Sequence, residues 1–228
     1  MILFISDLHL SFDKPQITHH FIHFLQTKAK QAKSVYILGD LFDAWVGDDD
    51  FTYPNAQIRH ELKKLTDSGV KVYFQRGNRD FLIGDRFAHE TGVILLEDYV
   101  VIELEGEKTL LTHGDLLCSD DLAYQTFRVK SRALEWQQNV LSKPLWLRLL
   151  AARWYRLRSF LHKQKKSHYV MDVNQNTVEN VMQKYQCTRL IHGHTHQPAL
   201  HKFQLNGKKA QRFVLSDWNN QGGEVLIW

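Results

Sequence analysis

Apolar residues fall along the chain in short unbroken runs that alternate with longer stretches of helical spacing. Ile2-Leu3-Phe4-Ile5, Val35-Tyr36-Ile37-Leu38, Val70-Lys71-Val72-Tyr73-Phe74, Thr109-Leu110-Leu111 and Leu190-Ile191 have the length and the β-branched and aromatic content of buried strands. Ile17, Phe21, Ile22, Phe24 and Leu25 recur at helical spacing and predict a helix from Pro15 to about Lys33. Ile58, Leu62 and Leu65 predict a second helix over Asn55 to Ser68, stopped by Gly69. A β-rich stretch is expected around Val100–Leu104, a helix over Asp172–Tyr185, and closing strands over Arg212–Asp217 and Glu224–Trp228. Strands alternating with helices predict an α/β fold. At 228 residues the chain is expected to form a single domain, 1–228, interrupted by a helical insertion at about 120–168.

Composition changes this picture in one place. The chain carries a net charge of +4, yet Trp136 to Met171 contains no Asp or Glu and eight Lys or Arg. That segment is therefore +8 and the remainder is 4 − 8 = −4. Basicity confined to one segment argues for a local anionic partner rather than a surface that coats nucleic acid. Within it Leu145, Trp146, Leu149, Leu150, Trp154, Leu157, Phe160 and Leu161 interleave with Arg148, Arg153, Arg156 and Arg158. This is the pattern of a basic amphipathic helix that can lie on an anionic membrane. The plainer alternative is a helix packed on the core with its arginines in water. No apolar run is long enough to span a bilayer, and no basic segment with an apolar h-region opens the chain. Cys118 and Cys187 have no metal spacing and are expected to be core thiols. A cytoplasmic protein is expected.

The chemistry gathers where strands end. Asp7, His9, Asp40, Asn78, His113, His194 and His196 each follow an apolar run, at five separate strand ends. One Asp there is ordinarily a turn residue, and one His a hydrogen-bonded structural residue. Seven nitrogen and oxygen donors together are another matter, because ligands in α/β folds collect beyond the carboxyl ends of strands. Four imidazoles with three hard oxygens and no thiolate suit manganese, iron or zinc better than calcium. Seven donors exceed one ion's needs and suit two ions sharing a bridge. Other residues have plainer expectations. His19, His20 and His23 are surface or packing residues, and Asp48, Asp49 and Asp50 a solvated loop. His192 is buried support, and Asp43 and Asp80 are partners that orient histidine ligands.

In this order the motifs D-x-H, G-D, G-N, H-G-D and G-H-x-H resemble the calcineurin-type metallophosphoesterase superfamily. The resemblance implies a four-layer α/β/β/α sandwich. It assigns Asp7, His9, Asp40 and His196 to one metal and Asp40, Asn78, His113 and His194 to the other, with Asp40 bridging. It implies catalytic roles for Asp40, Asn78, Arg79 and His113. Many members have a histidine after G-N; this chain has Gly77-Asn78-Arg79-Asp80. Arginine stays protonated and cannot act as a general acid, but it clamps phosphate bidentately. A missing acid matters little when the leaving group is itself a phosphate, so the substitution favours cleavage of a diphosphate.

Gly39 through Asp49, Gly77-Asn78-Arg79-Asp80-Phe81-Leu82-Ile83-Gly84 and Met171-Asp172-Val173-Asn174-Gln175 resemble, more narrowly, the UDP-2,3-diacylglucosamine diphosphatase family. That resemblance implies two Mn2+ ions and water attack at the α-phosphorus, with release of UMP and 2,3-diacylglucosamine 1-phosphate in lipid A biosynthesis. It implies a peripheral position on the cytoplasmic face of the inner membrane, and a helical cap that holds an acyl chain. Asn78, Arg79, Asp121, Tyr124, Ser159, Lys163, Lys166 and His194 are the substrate-binding residues it implies. A monomer without a nucleic-acid partner is expected. The alternative is another dimetal hydrolase, acting on soluble nucleotides or nucleic acid.

Overall fold

The computed structural model describes the backbone of residues 1–163 and 172–228, and the side chains of 1–157 and 172–228. Two five-stranded sheets form its centre. The first has the order β10-β1-β2-β3-β4, built from β1 (Ile2–Ile5), β2 (Ser34–Leu38), β3 (Lys71–Gln75), β4 (Ile94–Leu96) and β10 (Leu226–Ile227). Its strands β1 to β4 pair in parallel and β10 is antiparallel to β1. The second has the order β5-β6-β7-β9-β8, from β5 (Val100–Leu104), β6 (Glu107–Leu111), β7 (Arg189–His192), β8 (Ala199–Leu205) and β9 (Lys208–Val214). Here β6, β7 and β9 are parallel, flanked by antiparallel β5 and β8.

The unbroken apolar runs follow from burial on both faces. Successive side chains on a strand alternate between faces. Thus Leu3, Ile5, Val35, Ile37, Val72 and Phe74 pack outward against α1 (Pro15–Gln26), α2 (Asn55–Asp67) and α3 (Asp85–Thr91), through Phe21, Ile58, Leu62 and Phe87. Phe4, Tyr36 and Leu38 point inward and meet Leu111, Ile191 and Leu215 of the second sheet. Phe4, Tyr36 and Tyr73 stack across three strands with centroids 5.0 and 4.6 Å apart. Leu110 and Leu190 face the far side and pack on Val178 and Met182 of α7 (Gln175–Lys184). The layers are helix, sheet, sheet, helix, as the resemblance implies.

Several boundaries differ from the expectations. The helix from Pro15 stops at Gln26, not near Lys33, because the Thr27 amide and hydroxyl both donate to the carbonyl of His23. A 3-10 turn at Ala29–Gln31 then leads into β2. The helix expected from Asp172 begins at Gln175, where the Asn174 side chain caps it by accepting from the Thr177 amide. The β8–β9 hairpin was not foreseen: β8 is exposed over most of its length, so no apolar pattern marks it. Its two-residue turn, Asn206-Gly207 with both φ positive, is nevertheless a sequence signal for a hairpin.

Between β6 and β7 the chain forms α4 (Leu122–Arg132), α5 (Leu134–Leu141) and α6 (Leu145–Lys163). α5 buries none of its residues fully. Among the described residues, no helix is long and apolar enough to cross a membrane.

Candidate functional site

The carboxyl ends of β1, β2, β3, β6 and β7 meet along one edge of the paired sheets, and the loops leaving them are laced together. The Asp7 amide donates to the Gly39 carbonyl at 3.1 Å, the His9 amide to Asp40 at 3.0 Å and the Gly193 amide to His113 at 2.9 Å. These loops adopt costly backbone. Asp7, His9, Asp40, His194 and His196 have φ of 56°, 49°, 53°, 70° and 55°. Positive φ is uncommon outside glycine, and clusters of it mark functional sites. The loops also approach one another closely. A Cβ on Gly77 would lie 2.1 Å from Asp40 Oδ1, and one on Gly193 would lie 2.2 Å from Asp7 Oδ2.

The seven donors converge. His9 Nε2 lies 3.2 Å from His196 Nε2, and His196 Nε2 lies 3.4 Å from Asp7 Oδ1. His113 Nε2 lies 3.1 Å from Asn78 Oδ1 and 3.2 Å from His194 Nδ1. Asp40 stands between these groups. Its Oδ2 is 3.8 Å from His9 Nδ1 and its Oδ1 is 3.7 Å from His113 Nε2. Asp7 Oδ1 and His9 Nδ1 are buried without a hydrogen-bond partner among the described residues. Buried polar atoms are rarely left so, because desolvation without a partner is costly. Lone pairs aimed at a common point fit cations.

The surrounding bonds fix how each donor points. Ser6 Oγ and the His194 amide donate to Asp7 Oδ2 at 2.6 and 2.8 Å, leaving Oδ1 for the site. The Arg79 amide donates to Asp40 Oδ1 at 2.8 Å. His113 Nδ1 donates to the Leu38 carbonyl at 2.8 Å, which leaves Nε2 facing the other donors. His192, fully buried, bridges the Gly193 carbonyl and the Arg212 guanidinium, as a support residue should.

Electrostatics agree with ion binding. Burial and the Arg212 charge lower His192 to about 3. Burial and the His113 charge lower His194 to about 3, and burial drives His9 well below its ordinary value. Both are therefore neutral imidazoles, the form that binds metal. Burial, together with the neighbouring Asp80 and Asp7, lifts Asp40 to about 7 against the pull of His113. Burial would lower His113, but Asp40, Asp7 and Asp115 overcome it and raise it to about 9. Asp7 goes the other way: its bond to His196 and the nearby histidine charges outweigh burial and hold it well below the carboxylate range. Cations would compensate so many crowded carboxylates and imidazoles, and the donor set fits a dimetal centre.

The remaining expected residues fall in different places. Arg79 sits beside the cluster, and its guanidinium makes no ion pair among the described residues. The Tyr124 ring is 6.2 Å from that of His194, while its hydroxyl donates to Asp115. Asp121 caps α4, accepting from the Tyr124 amide at 3.2 Å. Lys166 lies outside the described residues, as do the side chains of Ser159 and Lys163, whose backbone belongs to α6. Three expectations are corrected. Asp48 and Asp50 are not solvated loop residues, and Asp49, though exposed, is paired. Asp48 accepts from the Gly84 and Phe87 amides and Trp45 Nε1, Asp49 pairs with buried Arg148, and Asp50 is buried and accepts from Asn55. Asp80 holds backbone rather than histidine, accepting from the Leu41 and Gly77 amides, both at 2.7 Å. Asp43 pairs with Arg156 instead of orienting a ligand.

Sequence reasoning missed Asp115, which is buried and accepts from both Tyr124 and Arg128. The H-G-D motif was its signal. Two cavities flank Arg79. One, of about 480 Å3, lies beneath α6 and is walled mainly by Trp45, Phe81, Phe127, Trp136, Val140 and Leu147. The other, of about 860 Å3, opens toward the start of α1.

The chain matches the model of the calcineurin-like phosphoesterase family over residues 1–198. A protein of Aliivibrio fischeri named UDP-2,3-diacylglucosamine hydrolase is 50% identical over 97% of this chain and 92% of its own length. Proteins of that name from Vibrio parahaemolyticus and Escherichia coli O127:H6 are 49% and 47% identical, each over 99% of this chain and 93% and 94% of their own.

Proposed function

The chain belongs to the calcineurin-like phosphoesterase family, and we propose that it hydrolyses UDP-2,3-diacylglucosamine, water attacking the α-phosphorus to yield UMP and 2,3-diacylglucosamine 1-phosphate for lipid A biosynthesis. The observation that carries the chemistry is the convergence of seven donors on five strand ends, with two buried ligating atoms left without hydrogen bonds. The substrate follows from the relatives that match nearly the whole chain.

In this reading Asp7, His9, Asp40 and His196 hold one Mn2+, and Asp40, Asn78, His113 and His194 hold a second. Asp40 serves both, which its two oxygens facing different histidines support. The ions supply charge that neutralises the diphosphate and acidifies water. The protein's part is positioning. Arg79, anchored through its amide on Asp40 and with no ion pair at its guanidinium among the described residues, clamps the diphosphate. No residue need protonate the departing group, because a sugar phosphate leaves as a stable anion. Tyr124, its hydroxyl bonded to Asp115 and its ring beside His194, would contact the sugar phosphate, as would Asp121, Ser159, Lys163 and Lys166.

In this reading the insertion, of which α4, α5 and α6 are described, serves as a cap on a single domain spanning 1–228. The apolar walls of the smaller cavity suit an acyl chain. Trp146, Leu150, Trp154 and Leu157 are exposed on α6 and suit the surface of an anionic, inner membrane reached from the cytoplasm. A monomer without nucleic acid is the simplest form of this reading. The deciding experiment supplies UDP-2,3-diacylglucosamine in detergent with manganese and oxygen-18 water. UMP carrying the label is expected. Label in the lipid phosphate would reverse the site of attack, and no cleavage would remove the substrate.

A further inference from the structure

A substrate of this kind has three parts, a lipid, a diphosphate and a nucleoside, and the two cavities meet at the residue that would clamp the middle part. Arg79 lines both. The smaller is walled by aromatic and aliphatic side chains and suits the lipid. The larger, about 860 Å3, has a different lining: Phe12, Asp13, Lys14, Tyr53, Arg79 and Arg153. Its size lies within the roughly 300–1,000 Å3 typical of small-molecule sites.

Its chemistry reads as three zones. Phe12 is 78% exposed and Tyr53 38%, and their rings meet edge to face with centroids 6.3 Å apart. An open aromatic face is a platform on which any nucleobase stacks. Asp13 is exposed beside Phe12, and a carboxylate next to a base platform can accept from ribose hydroxyls. Lys14, Arg79 and Arg153 are cations without an ion pair among the described residues, whereas Arg156, which also borders the cavity, is taken up by Asp43. Unpaired cations along one wall suit a phosphate.

We propose that this cavity is the nucleoside subsite, with Phe12 and Tyr53 stacking on the base, Asp13 holding the ribose, and Lys14, Arg79 and Arg153 holding the nucleotide phosphate. The proposal rests on the reading that the substrate is a nucleoside diphosphate lipid. It places UMP and the lipid product on opposite sides of Arg79.

The two products therefore separate under mutation. With the manganese-loaded full chain, UMP and 2,3-diacylglucosamine 1-phosphate are each measured as inhibitors of UDP-2,3-diacylglucosamine cleavage. UMP binding is also measured directly by titration calorimetry. In Phe12→Ala and in Asp13→Ala the affinity for UMP falls about tenfold while that for the lipid product stays within about twofold. Both residues are exposed, and an unchanged melting temperature checks that each variant folds. Unchanged UMP affinity in a wild-type-like fold that still cleaves the lipid overturns the subsite and leaves the substrate standing. A loss confined to the lipid product overturns it differently, by giving the cavity to an acyl chain. UMP binding by a wild-type protein that cannot cleave the lipid keeps the subsite and removes the substrate.

Discussion

At the strand ends Asp7, Asp40 and His113 are at most 2% exposed, and every loop there is tied to another by backbone hydrogen bonds. On α6 Trp146 and Trp154 are 66% and 60% exposed, and α5 buries none of its residues fully. The two regions face the same substrate with opposite construction. The strand ends use buried, mutually constrained groups because ions and water must be positioned closely. The helices leave apolar surface outside the core, and in the proposed reading a lipid would cover it. Among the contacts that join α6 to the loops are two ion pairs: Arg148 to Asp49, with a further bond from Arg148 to the Val46 carbonyl at 2.6 Å, and Arg156 to Asp43. The Asp43–Asp50 loop thus links α6 to the strand end that presents Asp40.

The sharpest break of this comparison is Asp40→Ala. Removing the residue that faces both histidine groups should release metal and cut turnover roughly 1,000-fold or more, the loss of several kcal/mol of charge stabilisation. Metal content by mass spectrometry and turnover on the lipid are the readouts; retained turnover would end the bridging assignment. Arg79→Ala should be milder, about 100-fold in turnover, comparable to losing one donor to a developing charge. Metal content should hold, because only the backbone amide of Arg79 touches Asp40. Metal loss would make Arg79 a structural residue instead.

How much was legible beforehand follows the same division. Asp7, Asp40 and His113 were readable because buried parallel strands leave unbroken apolar runs, and what terminates each run is what the edge presents. The positive φ values of Asp7 and Asp40 and the close loop packing were not readable, since no local residue pattern predicts which non-glycine will be forced there by its neighbours. Asp48, Asp49 and Asp50 were misread because a run of three acids looks solvated. Their partners, the Gly84 and Phe87 amides, Arg148 and Asn55, are distant in sequence or supplied by backbone. The basic segment was misread in part for the same reason: Arg148 pairs with Asp49 and Arg156 with Asp43, so its cations are not all available to an anionic surface.

Arg148→Ala tests the joint itself. Arg148 is nearly buried, while Asp49 is half exposed, so the pair is weaker than a fully buried one. Its loss, with the bond to Val46, should cost about 1–3 kcal/mol locally. Faster proteolysis within α6 is expected, with manganese content unchanged. An intact α6 would mean that the aromatic contacts, such as Phe127 on Tyr155 at 5.1 Å, hold it without the ion pair.

The smallest effect on the protein, and the one that isolates the outer face, is the pair Trp146→Ser with Trp154→Ser. Both side chains stand out of the core, so the melting temperature should not move, surface changes typically costing under about 0.5 kcal/mol. Partition onto anionic vesicles should fall at least about tenfold, because each indole removes apolar area worth roughly 25 cal/mol per Å2 from the bilayer contact. Turnover of a small soluble phosphodiester should not follow it down. A lowered melting temperature with unchanged vesicle binding would reverse the assignment: the exposed face of α6 would then be packing surface, and the comparison between a core that holds ions and helices that meet lipid would lose its second half.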